Sequence, residues 1–273
     1  MGYTTKIDWC NSTWNPVTGC LHGCEYCYAR GIEHRYGIYN IDPVGESTLI
    51  GTRPDGTKIV VLDHQLSRVD KNYMVRPAAY PYEFTPTLHR YRLNQPSKWS
   101  EPRTIFVCSM ADLFGEWVPD DWIKDVIHAC LAAPQHRYLF LTKNPARYID
   151  LIKNGIIPED QRNFWLGSTA ASPEMEFFWS NKANTFVSIE PILAPFKDLS
   201  DEGKQPASYV DWIIVGAESG NRKNKVVPEK SWIMELSECA RKSGTPIFMK
   251  ESLREIMGAD FVQQFPWCGE SSK

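Results

Sequence analysis

The chain has 273 residues, 30 Lys+Arg against 33 Asp+Glu, and a formal net charge of −3. With 42% hydrophobic and 23% charged residues it is ordinary globular material, which excludes wholesale disorder and gives a core that needs no disulfide staples. No uncharged apolar run approaches the roughly 18 residues of a membrane span, and the N-terminus lacks a signal-peptide stretch, so a cytoplasmic protein with no membrane partner is expected.

In chain order, a first strand is expected over TWNPVTG (13–19), leading directly into three cysteines within eight residues, Cys20, Cys24 and Cys27. The other five, Cys10, Cys108, Cys130, Cys239 and Cys268, are scattered. A tight cluster in a cytosolic chain suggests metal rather than a disulfide framework. After Cys27, YARGIEHRYG can begin a helix. Residues 44–62 read as a hairpin turning at Asp55-Gly56. Residues 68–103 carry five prolines, six aromatics (Tyr73, Tyr80, Tyr82, Phe84, Tyr91, Trp99) and a net charge of +4, leaving −7 elsewhere. Basic residues interleaved with aromatics suit a polyanion with stackable bases. They equally suit a proline-pinned excursion whose aromatics pack on the main fold. The whole stretch of about 38–103 is expected as an irregular insertion.

From residue 104 the chain alternates short apolar strands with helices. The strands are TIFVCS (104–109), RYLFLT (137–142), FWLGS (164–168), TFVSIE (185–190), WIIVG (212–216) and PIFMK (246–250). Their near-continuous apolar character is that of strands covered on both faces. A helical stripe of Ile123, Val126, Ile127 and Cys130 marks a helix over 119–133. A second helix over 228–243 has Trp232, Ile233 and Leu236 on one face and Gly244 as its stop. Strand–helix repetition implies a parallel sheet with right-handed crossovers, so the expected fold is a single α/β domain, a partial (β/α) barrel of six or seven parallel strands. Each strand exits in a polar signature: SMAD (109–112), TKN (142–144), STAAS (168–172), IEP (189–191), GAESG (216–220) and KES (250–252). Carboxyl ends of such strands are where binding groups collect, although polar loop starts occur in any α/β fold.

The cysteine spacing, C-x3-C-x2-C with Tyr26 before the last cysteine, provides three thiolates for a [4Fe–4S] cluster and leaves one iron without a protein ligand. Gly19 and Gly23 let the loop wrap closely. Structural zinc is the alternative, with His22 or Cys10 as fourth ligand. That alternative would make the chain a zinc-stabilised, non-catalytic nucleic-acid-binding protein.

The motif resembles that of the radical S-adenosylmethionine (SAM) superfamily. Together with Trp14-Asn15-Pro16, SMADLF (109–114), LTKNP (141–145), SIEP (188–191), GAESG and FMK (248–250), it looks like a phage-associated, radical-SAM-like branch. The resemblance implies that Cys20, Cys24 and Cys27 ligate the cluster, that SAM binds the open iron, and that Tyr26 lies against the adenine. It also implies reductive cleavage of SAM to a 5′-deoxyadenosyl radical, with a flavodoxin or ferredoxin as electron donor. The superfamily's usual Gly-Gly-Glu run is missing here; Ser109 and Asp112 stand at the corresponding exit. Ser168, Thr169 and Glu190 are expected to contact the ribose and methionyl groups. Lys143, Glu218 and Lys250 are candidates for substrate chemistry. Cys108 is a candidate hydrogen-atom donor or a core thiol. The expected substrate is a modified nucleobase in DNA, thymine-like and amino-acid-decorated, in the host cytoplasm if the gene is a phage's. A peptide or small metabolite is the alternative.

Overall fold

The computed structural model describes residues 5–36, 48–69, 73–78, 80–196, 206–219 and 222–268. The first part of the chain gives strands β1 (Ser12–Trp14) and β2 (Val17–Thr18), helix α1 (Tyr28–Tyr36), then β3 (Thr48–Thr52), β4 (Lys58–Leu62), β5 (Ser67–Val69), β6 (Val75–Pro77), β7 (Thr87–His89) and β8 (Thr104–Val107). It continues with α2 (Asp120–Leu131), β9 (Arg137–Thr142), α3 (Ala146–Lys153), β10 (Phe164–Thr169) and β11 (Asn184–Ile189). The last elements are β12 (Trp212–Val215), α4 (Lys230–Ser243), β13 (Ile247–Met249) and the short α5 (Arg254–Met257). None of these helices is long and apolar enough to cross a membrane.

One sheet holds seven strands in the order β1-β8-β9-β10-β11-β12-β13. The pairs β1–β8, β10–β11, β11–β12 and β12–β13 are parallel. Apart from the excursion between β1 and β8, each strand lies beside the next in chain order, which is the connectivity of an incomplete (β/α) barrel. The expected fold class is therefore observed. The long first strand is not: residues 12–18 form two short strands in two different sheets. Pro16 is the physical reason, since it has no N–H for a sheet ladder and its carbonyl accepts from His89 N–H at 2.7 Å.

The insertion is more regular than expected. A four-stranded sheet has the order β2-β7-β4-β3, with β3 and β4 antiparallel and β4 and β7 parallel. The hairpin turns where expected: Asp55 Oδ1 accepts from Thr57 N–H at 2.8 Å, and Gly56 has φ +85°. Strands β5 and β6 form a separate antiparallel pair.

The chain divides into two units, one of Ser12–Tyr138 and one of Leu139–Lys273 together with Thr4–Asn11. In the first, α2 buries Trp122, Ile123, Val126, Ile127 and Cys130, the stripe its sequence shows. In the second, Val187, Ile189, Ile213, Val215, Ile247 and Met249 pack with Ile233, Leu236 and Ala240 of α4. Helix α4 ends at Gly244 in the left-handed conformation (φ +72°), as its sequence position suggests. Because side chains alternate along a strand, the other face carries Phe186, Ser188, Trp212 and Phe248. There Trp212 touches the rings of Trp9, Trp165, Phe186, Phe248, Phe265 and Trp267 at centroid distances of 5.1–6.5 Å.

That aromatic layer fixes one glycine. A Cβ on Gly167 would lie 2.2 Å from Cζ of Phe186, whose ring is held by Trp9 and Trp212. Gly167→Ala should destabilise the protein by about 1–3 kcal/mol in denaturant unfolding. Gly31→Ala, in α1 with nothing within 4 Å of the added carbon, should stabilise it by about 0.5–1 kcal/mol. Equal effects at the two positions would contradict the packing described.

Candidate functional site

The cysteine loop leaves β2 through Gly19, whose φ is +89° and whose added Cβ would lie 2.4 Å from the Thr85 carbonyl oxygen. Gly19 N–H donates to Met110 O at 3.0 Å, and Cys20 N–H donates to Phe84 O at 3.2 Å. The loop is thus pinned both to the exit of β8 and to the segment before β7. Cys27 N–H donates back to Cys24 O at 3.2 Å, turning the chain into α1. Arg30 N–H donates to Cys27 Sγ at 3.4 Å, its guanidinium donates to Cys20 O at 3.5 Å, and the same group lies over the Phe84 ring at 5.2 Å. Ala29, Tyr80, Phe84 and Met110 form a small apolar cluster against which Cys20 and Cys27 pack.

The SMAD exit adjoins this loop. Asn15 Oδ1 accepts from Ser109 Oγ at 3.1 Å and from Met110 N–H at 3.0 Å. Tyr28 donates its hydroxyl proton to Ser109 O at 2.5 Å. The buried Asp112 carboxylate meets His22 Nε2 at 2.7 Å and accepts from Phe114 N–H at 3.0 Å. His22 stands edge-on to Trp117, with ring centroids 4.8 Å apart. Of the expected residues, the structure therefore brings Cys20, Cys24, Cys27, Ser109 and Asp112 together, and Tyr26 lies half-buried in the same loop.

Burial pushes the Cys20 thiol up to about 12; the His22 backbone N–H pulls against this, while Asp112, Cys27 and Cys24 add to it. Among the described residues, no group of three or more His, Cys, Asp or Glu side chains is placed as the ligand set of a metal ion. A tetrahedral zinc at about 2.3 Å from each sulfur would draw its thiolates into mutual contact. By its chemistry the donor set, three cysteines on a glycine-hinged loop with an N–H on Cys27 Sγ, is of the kind that an iron–sulfur cluster takes. Of the zinc alternative's two fourth ligands, His22 is turned to Asp112 and Cys10 Sγ donates to Ile7 O at 3.9 Å.

Cys108 lies at the end of β8 with φ +58°, a conformation strained for a residue with a Cβ. Its thiol is buried and pushed up to about 12 by that burial. It is enclosed in the core, which suits the core-thiol reading more than hydrogen-atom donation.

The second unit carries the remaining candidates, each at a strand exit. Ser168 Oγ accepts from Phe178 N–H at 2.9 Å and is fully buried, so its hydroxyl orders a loop. Thr169 is buried at the end of β10, and Lys143 is half-buried after β9. Glu218 is gripped by Arg222 through two hydrogen bonds of 2.7 and 2.8 Å. Glu190, expected near the cofactor, and Lys250, expected near the substrate, are joined by a 3.0 Å ion pair. Burial raises the Glu190 carboxyl against the pull of Lys250. Burial also lowers the Lys250 ammonium, but Glu190 and Asp8 override it, and the net shift is upward.

Three contributors escaped the sequence reading. Asn15 lay in the quoted Trp-Asn-Pro string without an assigned role. Arg30 followed the cysteine motif but had no partner visible in sequence. Asp8 precedes β1 with no motif around it; its Oδ2 accepts from Glu251 N–H at 2.8 Å.

Residues 4–255 match the family model described as a protein of unknown function (DUF5131), and the chain belongs to that family. No curated protein matches it. Among solved structures it is similar to a spore photoproduct lyase carrying a cysteine-to-serine substitution, at 12% identity and a TM-score of 0.45, over 91% of this chain and 80% of that one.

The Arg222 guanidinium holds the Glu218 carboxyl below its usual range. Such a pair contributes its full stability above the unfolded carboxylate pKa of about 4.3 and loses it as pH falls through the depressed folded value. Glu218→Gln should therefore lower the denaturation midpoint at pH 7, and the gap to wild type should close as pH falls below about 4.3. A gap independent of pH would show that the pair's charge does not stabilise the loop.

Proposed function

We propose that this chain is a radical SAM enzyme in which Cys20, Cys24 and Cys27 hold a [4Fe–4S] cluster. The observation that carries the reading is the three-cysteine loop after β2, folded through a left-handed Gly19 and hydrogen-bonded to the exit of β8, in a chain with the connectivity of a partial (β/α) barrel. When bound, the reduced cluster supplies the electron that cleaves SAM to methionine and a 5′-deoxyadenosyl radical.

The chain's own residues then have defined tasks. The backbone N–H of Arg30 and the apolar packing of Phe84, Tyr80 and Met110 shield Cys20 and Cys27 from water. Asn15 fixes Ser109 and Met110, and His22 fixes Asp112, so the β8 exit presents an ordered set of polar groups beside the loop. Ser109 and Asp112 take the place of the glycine- and glutamate-rich run in contacting the SAM methionyl group.

The substrate reading is a modified nucleobase in DNA. Its support is the β5–β6 hairpin, where Tyr73 is 90% exposed beside exposed Met74, Val75 and Arg76. Lys98 is exposed as well, whereas other residues of the basic aromatic stretch are engaged internally. Tyr80 and Phe84 are buried, Arg90 pairs with Asp63 at 2.5 Å, and Arg92 donates to Asn15 O at 3.0 Å. A target base in a duplex must first leave its stack.

Anaerobic reconstitution with iron and sulfide should load about four irons per chain, and dithionite with SAM should then yield 5′-deoxyadenosine; Cys24→Ala should do neither. One tightly held zinc and no SAM cleavage would contradict the proposal. For the substrate, Arg76→Glu with Lys98→Glu should weaken duplex binding and reduce the slope of log affinity against log salt by about one for each phosphate left without its cation. An unchanged slope would remove DNA from the reading and favour a small molecule or peptide.

A further inference from the structure

The second unit contains a polar cluster that the cysteine chemistry does not use. Lys250, at the exit of β13, donates to Glu190 Oε2 at 3.0 Å. Its stem runs over Gly216, where an added Cβ would meet Lys250 Cδ at 2.9 Å, so the glycine makes room for the lysine. Asp8 acts electrostatically on both Glu190 and Lys250. Three acceptor atoms here, Asp8 Oδ1, Glu190 Oε1 and Ser188 Oγ, are shut off from solvent and make no hydrogen bond among the described residues. Ser188 is fully buried on the face of β11 opposite the helix-packed Val187 and Ile189, two residues before Glu190 at the strand's exit. Buried polar atoms without partners are costly, and several in one place mark a site that calls for a donor.

The charge decides which donor. Asp8 and Glu190 against Lys250 leave one negative charge in excess, and the remaining lone pairs on the carboxylates accept hydrogen bonds and cannot donate them. A carboxylate or phosphate ligand would find Lys250 already engaged and two carboxylates opposing it. A primary ammonium matches both the charge and the three acceptors. Lys250 and Glu190 keep 29% and 21% of their side chains exposed, so solvent reaches the pair, and a ligand entering there parts it to meet the three covered acceptors.

We propose that Asp8, Ser188, Glu190 and Lys250 form a binding site for a primary ammonium group of a small ligand or substrate. The site lies wholly in the second unit, needs neither iron nor SAM, and stands or falls separately from the cysteine chemistry.

The test is saturation-transfer NMR on the full chain with propylammonium and propionate as probes. Propylammonium should be saturated and propionate should not. Glu190→Gln should weaken propylammonium binding at least tenfold. Ser188→Ala removes an unpartnered buried hydroxyl, so its denaturation midpoint should hold or rise while propylammonium binding weakens. That opposite movement separates a binding role from a structural one, and it remains readable if Glu190→Gln fails to fold. Saturation of propionate instead would make this an anion site and overturn the proposal. It would also be overturned by no saturation of either probe, or by propylammonium binding unchanged in Ser188→Ala, since the acceptors would then be serving water.

Discussion

The cysteine loop depends on one close approach. At Gly19 the backbone lies against the Thr85 carbonyl in a left-handed conformation, and a Cβ there would stand 2.4 Å from that oxygen. Only a hydrogen fits. The approach lets Gly19 N–H reach Met110 O and Cys20 N–H reach Phe84 O, so the loop is tied on two sides before the first cysteine. From that anchor the turn at Cys24–Cys27 and the start of α1 follow. Arg30 then comes over Phe84 with its N–H on Cys27 Sγ. Preorganisation of this kind spares a metal cluster the cost of ordering its ligands.

The same economy of space recurs in the second unit. Gly167 yields to Phe186 in the aromatic layer, and Gly216 yields to the stem of Lys250 at the strand exits. Moving from the Trp212 layer toward the exits, the face changes from aromatic rings through Ser188 to the Glu190–Lys250 pair. Bulky apolar groups close one end, while charged groups stand at the carboxyl ends, where strands of this connectivity carry their binding residues.

Much of this was legible in the sequence because continuous apolar runs and helical stripes report burial directly. The strands RYLFLT and WIIVG, the α2 stripe and the Gly244 stop all stand where their patterns place them, within a residue or two. The cysteine motif announced itself by spacing alone. Long-range pairing was not legible. Glu190 and Lys250 are 60 residues apart, on two separate strand exits, and nothing local joins them. Asn15 and Asp8 act through hydrogen bonds to distant backbone groups, which leave no periodicity to read. The second sheet was missed because its strands are short, proline-interrupted and parallel in part, so the alternation that marks a hairpin covers β3 and β4 alone.

Three cysteines holding a cluster with one iron open to SAM are the central claim, and electron paramagnetic resonance of the reduced, reconstituted protein tests it most directly. The expected result is the signal of a reduced [4Fe–4S] centre whose g-values shift when SAM is added, and which Cys24→Ala abolishes. A cluster signal that ignores SAM, or no iron signal in a protein that retains zinc, would contradict it.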